Sequence, residues 1–363
     1  MRILHNADLA GLGGIQRHVV TLALAQREYG HQPIVATAAE GYLTKSCERH
    51  GIPVIIEPHL YPHGEEWKFP KEWIFPVEES VGLLARRFEE LDVDVVHSHT
   101  VSAAAQAIPA GNAAGKACVF THHAIAPLLL LPVHQALGVR SEIVSVSRAG
   151  LDSLRRNGAS ADRLHYVPNG TPAAPRGSRA GAGRRRLMLV ARLSWEKGID
   201  TAILAMAELH ARHGTSCPEL NVYGDGSLAE YLKTVTHALG LGEVVHFHGT
   251  RVDVIQDGAE GDVLVVPSRS EACPLVVLEA MSRGIPVVAT AVGGVPDMIP
   301  DARYGRLVPA DSAIALADAV DAVIADLAEG KVDPEAVAAH HSAFFSEAKM
   351  VERLNKVYAD ASG

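Results

Sequence analysis

From Asp262 to Asp297 the chain reads DVLVVPSRSEACPLVVLEAMSRGIPVVATAVGGVPD: a strand, an acidic loop, a helix, a second strand and a glycine loop, with no residue left over. Val263 to Val266 is an unbroken apolar run, the pattern of a strand covered on both faces. Pro274 suits the first position of a helix, and Gly284 suits its stop. Ile285 to Ala289 then reads as the next buried strand. Two buried strands joined through a helix cannot form a hairpin, so a parallel sheet with crossover helices is required. In such sheets ligands bind where a strand ends and the next helix begins. Glu271 and Glu279 flank the entry to this helix.

The same grammar runs through the rest of the chain. In the N-terminal half, strands are predicted over 2–6, 33–37, 54–57, 93–97, 118–121 and 143–146, with a helix over 15–29 carrying an apolar stripe of Val19, Leu22, Ala23 and Ala25. A break follows at 171–186, TPAAPRGSRAGAGRRR, without periodicity and rich in Pro, Gly, Ala and Arg. It reads as a solvated interdomain linker. Beyond it, strands are predicted over 187–190, 220–223 and 244–247, and helices over 199–213 and 312–328. A closing helical stretch over 336–361 is free to cross back onto the first domain. The fold class is therefore α/β, with two doubly wound domains facing each other across a cleft. Their expected bounds are 1–170, joined by a terminal helix at about 340–363, and 187–339.

At 363 residues the chain exceeds one ordinary core, which agrees with two domains. A net charge of −9 excludes nucleic acid as the expected partner. The four cysteines, Cys47, Cys118, Cys217 and Cys273, lack the pairing of a zinc site or disulfide framework and fit a reducing cytoplasm. The start, MRILHNA, reads as a strand and not as a signal peptide, and no apolar stretch is long enough to span a bilayer. A cytoplasmic protein is expected.

Several residues have the chemistry of an anion site. Gly13 and Gly14 lie between the first strand and first helix, where backbone N–H groups and the helix dipole favour an anion. A dinucleotide fingerprint needs glycine at 16, and the chain has Gln16, so an NAD site is disfavoured. Arg192 and Lys197 bracket the loop after the first strand of the second half, ARLSWEKG. One offers a bidentate fork and the other a point charge, a pair suited to a diphosphate. His97, His99, His122 and His123 follow strands without a carboxylate-rich partner set, so no metal is expected. Neighbouring strand residues face opposite ways, so only one of His122 and His123 can serve a given site. Asp92 and Asp94 lead into a strand and read as strand-edge polarity. Tyr61, Trp67, Phe69, Trp73 and Phe75 punctuate an acidic segment at 61–79. That segment suits an acceptor pocket, a weak peripheral membrane contact, or plain loop packing.

Taken in order, GGIQRHV at 13–19, DVVHSH at 94–99, THH at 121–123, VPNG at 167–170, ARLSWEKG at 191–198, VYGDG at 222–226, PSRSEACPLVVLEAM at 267–281 and GIPVVATAVGGVPD at 284–297 resemble a retaining glycosyltransferase of family 4, in the GT-B superfamily. The resemblance spans nearly the whole chain. It implies twin Rossmann-like domains, with a nucleotide-sugar held mainly by the C-terminal one and the acceptor by the N-terminal one. It implies Arg192 and Lys197 on the donor diphosphate, Glu279 on the ribose hydroxyls, and Glu271 with the backbone of Cys273, Pro274 and Leu275 on the donor sugar. Gly13 and Gly14 would approach the phosphate, His123 the transferred sugar, and backbone near Arg251 the base. The implied activity moves a sugar, expected from a UDP-sugar, to a hydroxyl of a small-molecule or saccharide acceptor. No cofactor is required beyond that co-substrate. A lipid- or polysaccharide-directed transferase and a nucleotide-sugar epimerase are the alternatives. One departure concerns the donor sugar: Glu-Gly-Phe-Gly is common in the family where this chain has Glu271-Ala272-Cys273-Pro274, and proline removes one N–H donor.

Overall fold

The computed structural model describes residues 1–7, 13–61, 75–175, 185–251, 254–258 and 262–363. The chain divides into two compact units, Met1–Gly170 with Glu347–Gly363, and Thr171–Ser346.

Among the described residues the first unit holds a seven-stranded sheet in the order β3-β2-β1-β4-β5-β6-β7. The strands are β1 (Arg2–Asn6), β2 (Gln32–Thr37), β3 (Val54–Ile56), β4 (Val95–Ser98), β5 (Ala117–His122), β6 (Glu142–Ser145) and β7 (Leu164–Tyr166), and every pairing is parallel. The order reverses between β1 and β4, which makes the loops after those two strands the switch point of the sheet. Both faces are covered. Leu4, Val96, Phe120 and Ile143 pack on one side with Leu84, Phe88 and Ile108. Ile3, Val95, Val119 and Val144 pack on the other against Met350, Val351, Leu354, Val357 and Tyr358 of the terminal helix Glu347–Ser362.

The second unit repeats the plan with six strands in the order β10-β9-β8-β11-β12-β13. They are β8 (Arg186–Val190), β9 (Glu219–Tyr223), β10 (Val245–Phe247), β11 (Val263–Val266), β12 (Val287–Thr290) and β13 (Gly305–Val308), again all parallel. Its switch point lies between β8 and β11. Leu187, Leu189, Val222, Val263 and Val288 pack against Ile203, Met206 and Leu209 of helix Ile199–His213 and Leu316 and Val320 of helix Ala313–Ala328.

Three expectations are corrected. The closing helical stretch is two helices, Pro334–Phe344 and Glu347–Ser362. The chain leaves the helical conformation at Phe345, whose φ is −130°, and Ser346 bridges to Thr171. Arg186 belongs to β8 and not to the solvated linker, because its guanidinium pairs with the fully buried carboxylate of Asp262, Nε lying 3.1 Å from Oδ2. Pro274 is the N-cap and Leu275 the first helical residue. Of the linker, 176–184 lie outside the described residues, as do Trp67, Phe69 and Trp73 of the aromatic segment. At the far end of that segment Phe75 is 53% exposed, and Glu78 and Glu79 open the helix Glu78–Glu90.

Candidate active site

In the second unit the switch point brings the loop after β8 against the loop after β11. The approach is too close for a side chain. Gly198 adopts φ +62°, and a Cβ there would sit 2.0 Å from the Pro267 carbonyl oxygen. Gly224, after β9, would place a Cβ 1.8 Å from the carbonyl of Ala191. Leu193 N–H donates to Asp225 O at 2.9 Å, completing the knit between the first two loops.

Lys197 ends up beside Glu271. Its Nζ donates to Oε1 at 2.8 Å, and Ser268 Oγ donates to the same oxygen at 2.8 Å. The two side chains are 23% and 10% exposed, so the pair is half-sheltered and reachable. An ammonium has three N–H donors. The bond to Glu271 uses one, and two remain for an incoming anion. Arg192 lies exposed on the same loop. Glu271 O accepts from Gly294 N–H at 3.2 Å, which ties in the glycine loop after β12.

Sequence reasoning passed over Arg269, which holds this loop in place. Its guanidinium donates to Asp200 at 2.8 and 3.0 Å, to Asp311 at 2.6 Å and to the Trp195 carbonyl at 2.6 Å. It also lies 4.9 Å over the Trp195 ring. The hydrogen bonds to Asp200 come first in raising the Arg269 pKa. Burial opposes ionisation of Asp200, but the Arg269 bonds and charge prevail and hold its carboxyl below the usual range. The available signal was position: Arg269 sits three residues past β11, inside the motif already singled out.

Glu279 sits in the second turn of helix Leu275–Ser282 rather than at its entry, half-buried. Cys273 and Pro274 are buried and Leu275 half-buried at the start of that helix. Arg251 is exposed, four residues past the edge strand β10. In the other unit, Gly13 is the N-cap of helix Gly14–Glu28, with extended φ of −164°. Among the described residues, a side chain at Gly13 would meet the end of Gln16 at 2.7 Å, and one at Gly14 would meet nothing within 4 Å.

His123 belongs to a cluster that the motifs only half revealed. His5 and His97 are register partners on β1 and β4, so they lie side by side at the first unit's switch point. His5 Nε2 is 2.6 Å from Gln26 Oε1, and His5 Nδ1 is 3.0 Å from His99 Nε2. His99 Nδ1 is 3.3 Å from His123 Nε2. In the other direction Gln26 Nε2 donates to Tyr358 Oη at 2.9 Å. Tyr358 Oη is 2.8 Å from His97 Nδ1, and His97 Nε2 is 2.7 Å from Thr121 Oγ1. His18 packs edge-on to His123 with ring centres 4.7 Å apart, and both its ring nitrogens are buried without a hydrogen-bond partner among the described residues. Burial pushes His5 down to about 4 and His18 down to about 3, each helped by a neighbouring histidine. Burial and adjacent imidazoles likewise lower His97, His99 and His123 well below the ordinary range. The cluster is neutral at physiological pH. His122 turns away and donates from Nε2 to Ala126 O at 2.8 Å.

Two Rossmann-like units, each with polar groups gathered at its switch point, match the architecture of GT-B glycosyltransferases. The Glycosyltransferase Family 4 model matches residues 12–174 and the Glycosyl transferases group 1 model matches 184–326, and the chain is a glycosyltransferase of the kind both describe. The phosphatidylinositol N-acetylglucosaminyltransferase gpi3 subunit of Schizosaccharomyces pombe is 27% identical, over 95% of this chain and 77% of that protein. The D-inositol 3-phosphate glycosyltransferase of Paenarthrobacter aurescens is 29% identical, over 86% of this chain and 85% of that protein. Among solved structures, HepE of Anabaena in complex with UDP superposes with a TM-score of 0.82 at 20% identity, covering 99% of this chain and 100% of that one. No helix among the described residues is long and apolar enough to cross a membrane.

Proposed function

We propose that the protein transfers a sugar from a UDP-sugar to a hydroxyl of a polyol or saccharide acceptor, with retention at the anomeric carbon and without a metal ion. The observation that carries this reading is the Lys197–Glu271 pair at the β8/β11 switch point, a cation with spare donors fixed beside an acid. Lys197 and Arg192 take the diphosphate oxygens, Glu271 the sugar hydroxyls and Glu279 the ribose. His123 and the Gly13–Gly14 helix start, in the first unit, meet the transferred sugar and phosphate.

As the bond from the anomeric carbon to the phosphate oxygen breaks, its electron pair stays on the diphosphate, and fixed cations stabilise that charge. The acceptor oxygen bonds to the same face of the carbon, and its proton passes to the departing phosphate oxygen. Atoms and charge balance without a protein nucleophile. Relatives named for phosphatidylinositol and inositol phosphate support an inositol-type hydroxyl as the first acceptor to try.

The test is incubation with UDP-GlcNAc or UDP-glucose and inositol 3-phosphate in excess EDTA, followed by proton NMR. An α-linked product with UDP release supports the reading. A β-linked product, or activity that returns only with Mg²⁺, contradicts it. Conversion of the donor to an isomeric nucleotide-sugar without acceptor would establish the epimerase instead.

A further inference from the structure

The first unit's polar chain runs from Thr121 through His97, Tyr358, Gln26, His5 and His99 to His123 without a gap. Every imidazole in it is neutral, so each carries one ring proton, and each link needs one donor and one acceptor. A neutral chain of this kind has only two consistent arrangements, and the Gln26 amide selects between them. Gln26 Oε1 faces His5 and can only accept, so His5 carries its proton on Nε2. His5 Nδ1 is then an acceptor, which requires Nε2–H on His99. His99 Nδ1 in turn requires Nε2–H on His123. On the other arm the Gln26 NH₂ donates to Tyr358, whose hydroxyl donates to His97 Nδ1, and His97 Nε2–H donates to Thr121.

We infer that Gln26 and Tyr358 are positioning residues that set the tautomer of His123 at a distance, so that His123 presents a bare Nδ1 as a hydrogen-bond acceptor. A bare imidazole nitrogen accepts from a hydroxyl but has nothing to offer a carbonyl or phosphate oxygen, whereas an N–H in its place would donate to any of the three. The ligand class is thus a hydroxyl of the sugar or of its acceptor, not a carbonyl or a phosphate oxygen. Tyr358 reaches the chain from the terminal helix, 332 positions beyond Gln26, so the return of the C-terminus to this unit also aims the site. Packing alone does not require this pattern, since a methionine and a phenylalanine would fill the same buried space. The tautomer statement rests on the first unit alone; its consequence for turnover rests on the function proposed above.

Metal binding is the rival description, because ring nitrogens of His5, His97 and His99, and those of His18, His99 and His123, lie within 4.8 Å of one another. An ion taking the place of a ring-to-ring hydrogen bond would need both facing nitrogens unprotonated. The inferred chain forbids that.

The experiment is long-range ¹⁵N–¹H correlation NMR of histidine-labelled full-length protein at pH 7.5, on the wild type, Q26M and Y358F, with and without one equivalent of Zn²⁺. The expected wild-type result is Nε2–H at His5, His97, His99 and His123, unchanged by Zn²⁺. Q26M should populate Nδ1–H at His123, three hydrogen bonds away, and lower kcat about 10- to 100-fold with little change in donor KM. Y358F, which leaves the Gln26–His5 contact in place, should shift His123 less and so keep the test alive if Q26M does not fold. Nδ1–H at His123 in the wild type, no tautomer change in either variant, or Zn²⁺ displacing the His123 proton would each overturn the inference. Tautomers as expected, with His123→Ala leaving kcat intact, would instead remove His123 from the proposed mechanism.

Discussion

The two units share an architecture and an address for their polar groups, yet solve the electrostatics of that address in opposite ways. At the β1/β4 switch point His5, His97 and His99 are buried and neutral, and hydrogen bonds link them to one another and to His123 through Gln26 and Tyr358. At the β8/β11 switch point they are charged and half-sheltered, and their supporting charges come in pairs, Lys197 with Glu271 and Arg269 with Asp200. Burying a lone charge costs several kcal/mol, whereas a neutral, hydrogen-bonded chain does not incur that penalty. The proposed transfer would use both solutions. A departing diphosphate calls for fixed cations, while a reacting sugar calls for groups that orient hydroxyls without attracting bulk water.

Acidification should separate the units most sharply. His5 falls from 6.5 to about 4 and His18 to about 3 on folding, so the unfolded chain takes up protons that the folded one refuses. Stability is therefore held above pH 6.5 and lost as the pH falls toward 4, by about 1.4 kcal/mol per pH unit for each such histidine. Hydrogen exchange followed from pH 7 to 4.5 should show β1 and β4 opening before β8 and β11; simultaneous loss would contradict the contrast. Among the described residues of the second unit, His341 is likewise lowered to about 4 by burial.

Lys197→Ala comes next, with kcat/KM expected to fall about 10² to 10³-fold, or roughly 3–4 kcal/mol of transition-state stabilisation. Initial rates of UDP release decide it, and a change below threefold would remove Lys197 from the site. Gly198→Ala should cost about 2–3 kcal/mol of stability by forcing apart the loops after β8 and β11. Differential scanning calorimetry should show that loss in the transition of the second unit while leaving the first in place. Trp195→Ala should cost least. Its exposed ring under Arg269 contributes about 0.5–1 kcal/mol, a change in melting temperature of only a few degrees.

Much of this arrangement could be read from the chain. The strand readings at 2–6 and 263–266 match β1 and β11 residue for residue, and the second is an unbroken apolar run because a strand buried on both faces leaves no polar alternation to confuse the pattern. The strands β7, LHY, and β13, GRLV, went unpredicted because a short run with a polar or glycine member looks like loop. In the site, Lys197 and Glu271 were visible because each lies in a compact motif next to a strand end. The histidine chain was not. Gln26 and Tyr358 meet only because the terminal helix crosses back, and no local pattern encodes a contact across 332 positions. Arg269 was missed for another reason: its work is to hold Trp195 and Asp200, so its own motif carries no sign of its partners.

The claim underlying all of this is that the second unit grips a nucleotide diphosphate through Lys197. Calorimetric titration of UDP into the metal-free wild type and into Lys197→Ala tests it most directly. The account predicts one site in the wild type and at least a tenfold weaker one in the variant, a difference of about 1.4 kcal/mol or more. Equal affinities, or no binding of UDP by the wild type, would contradict it.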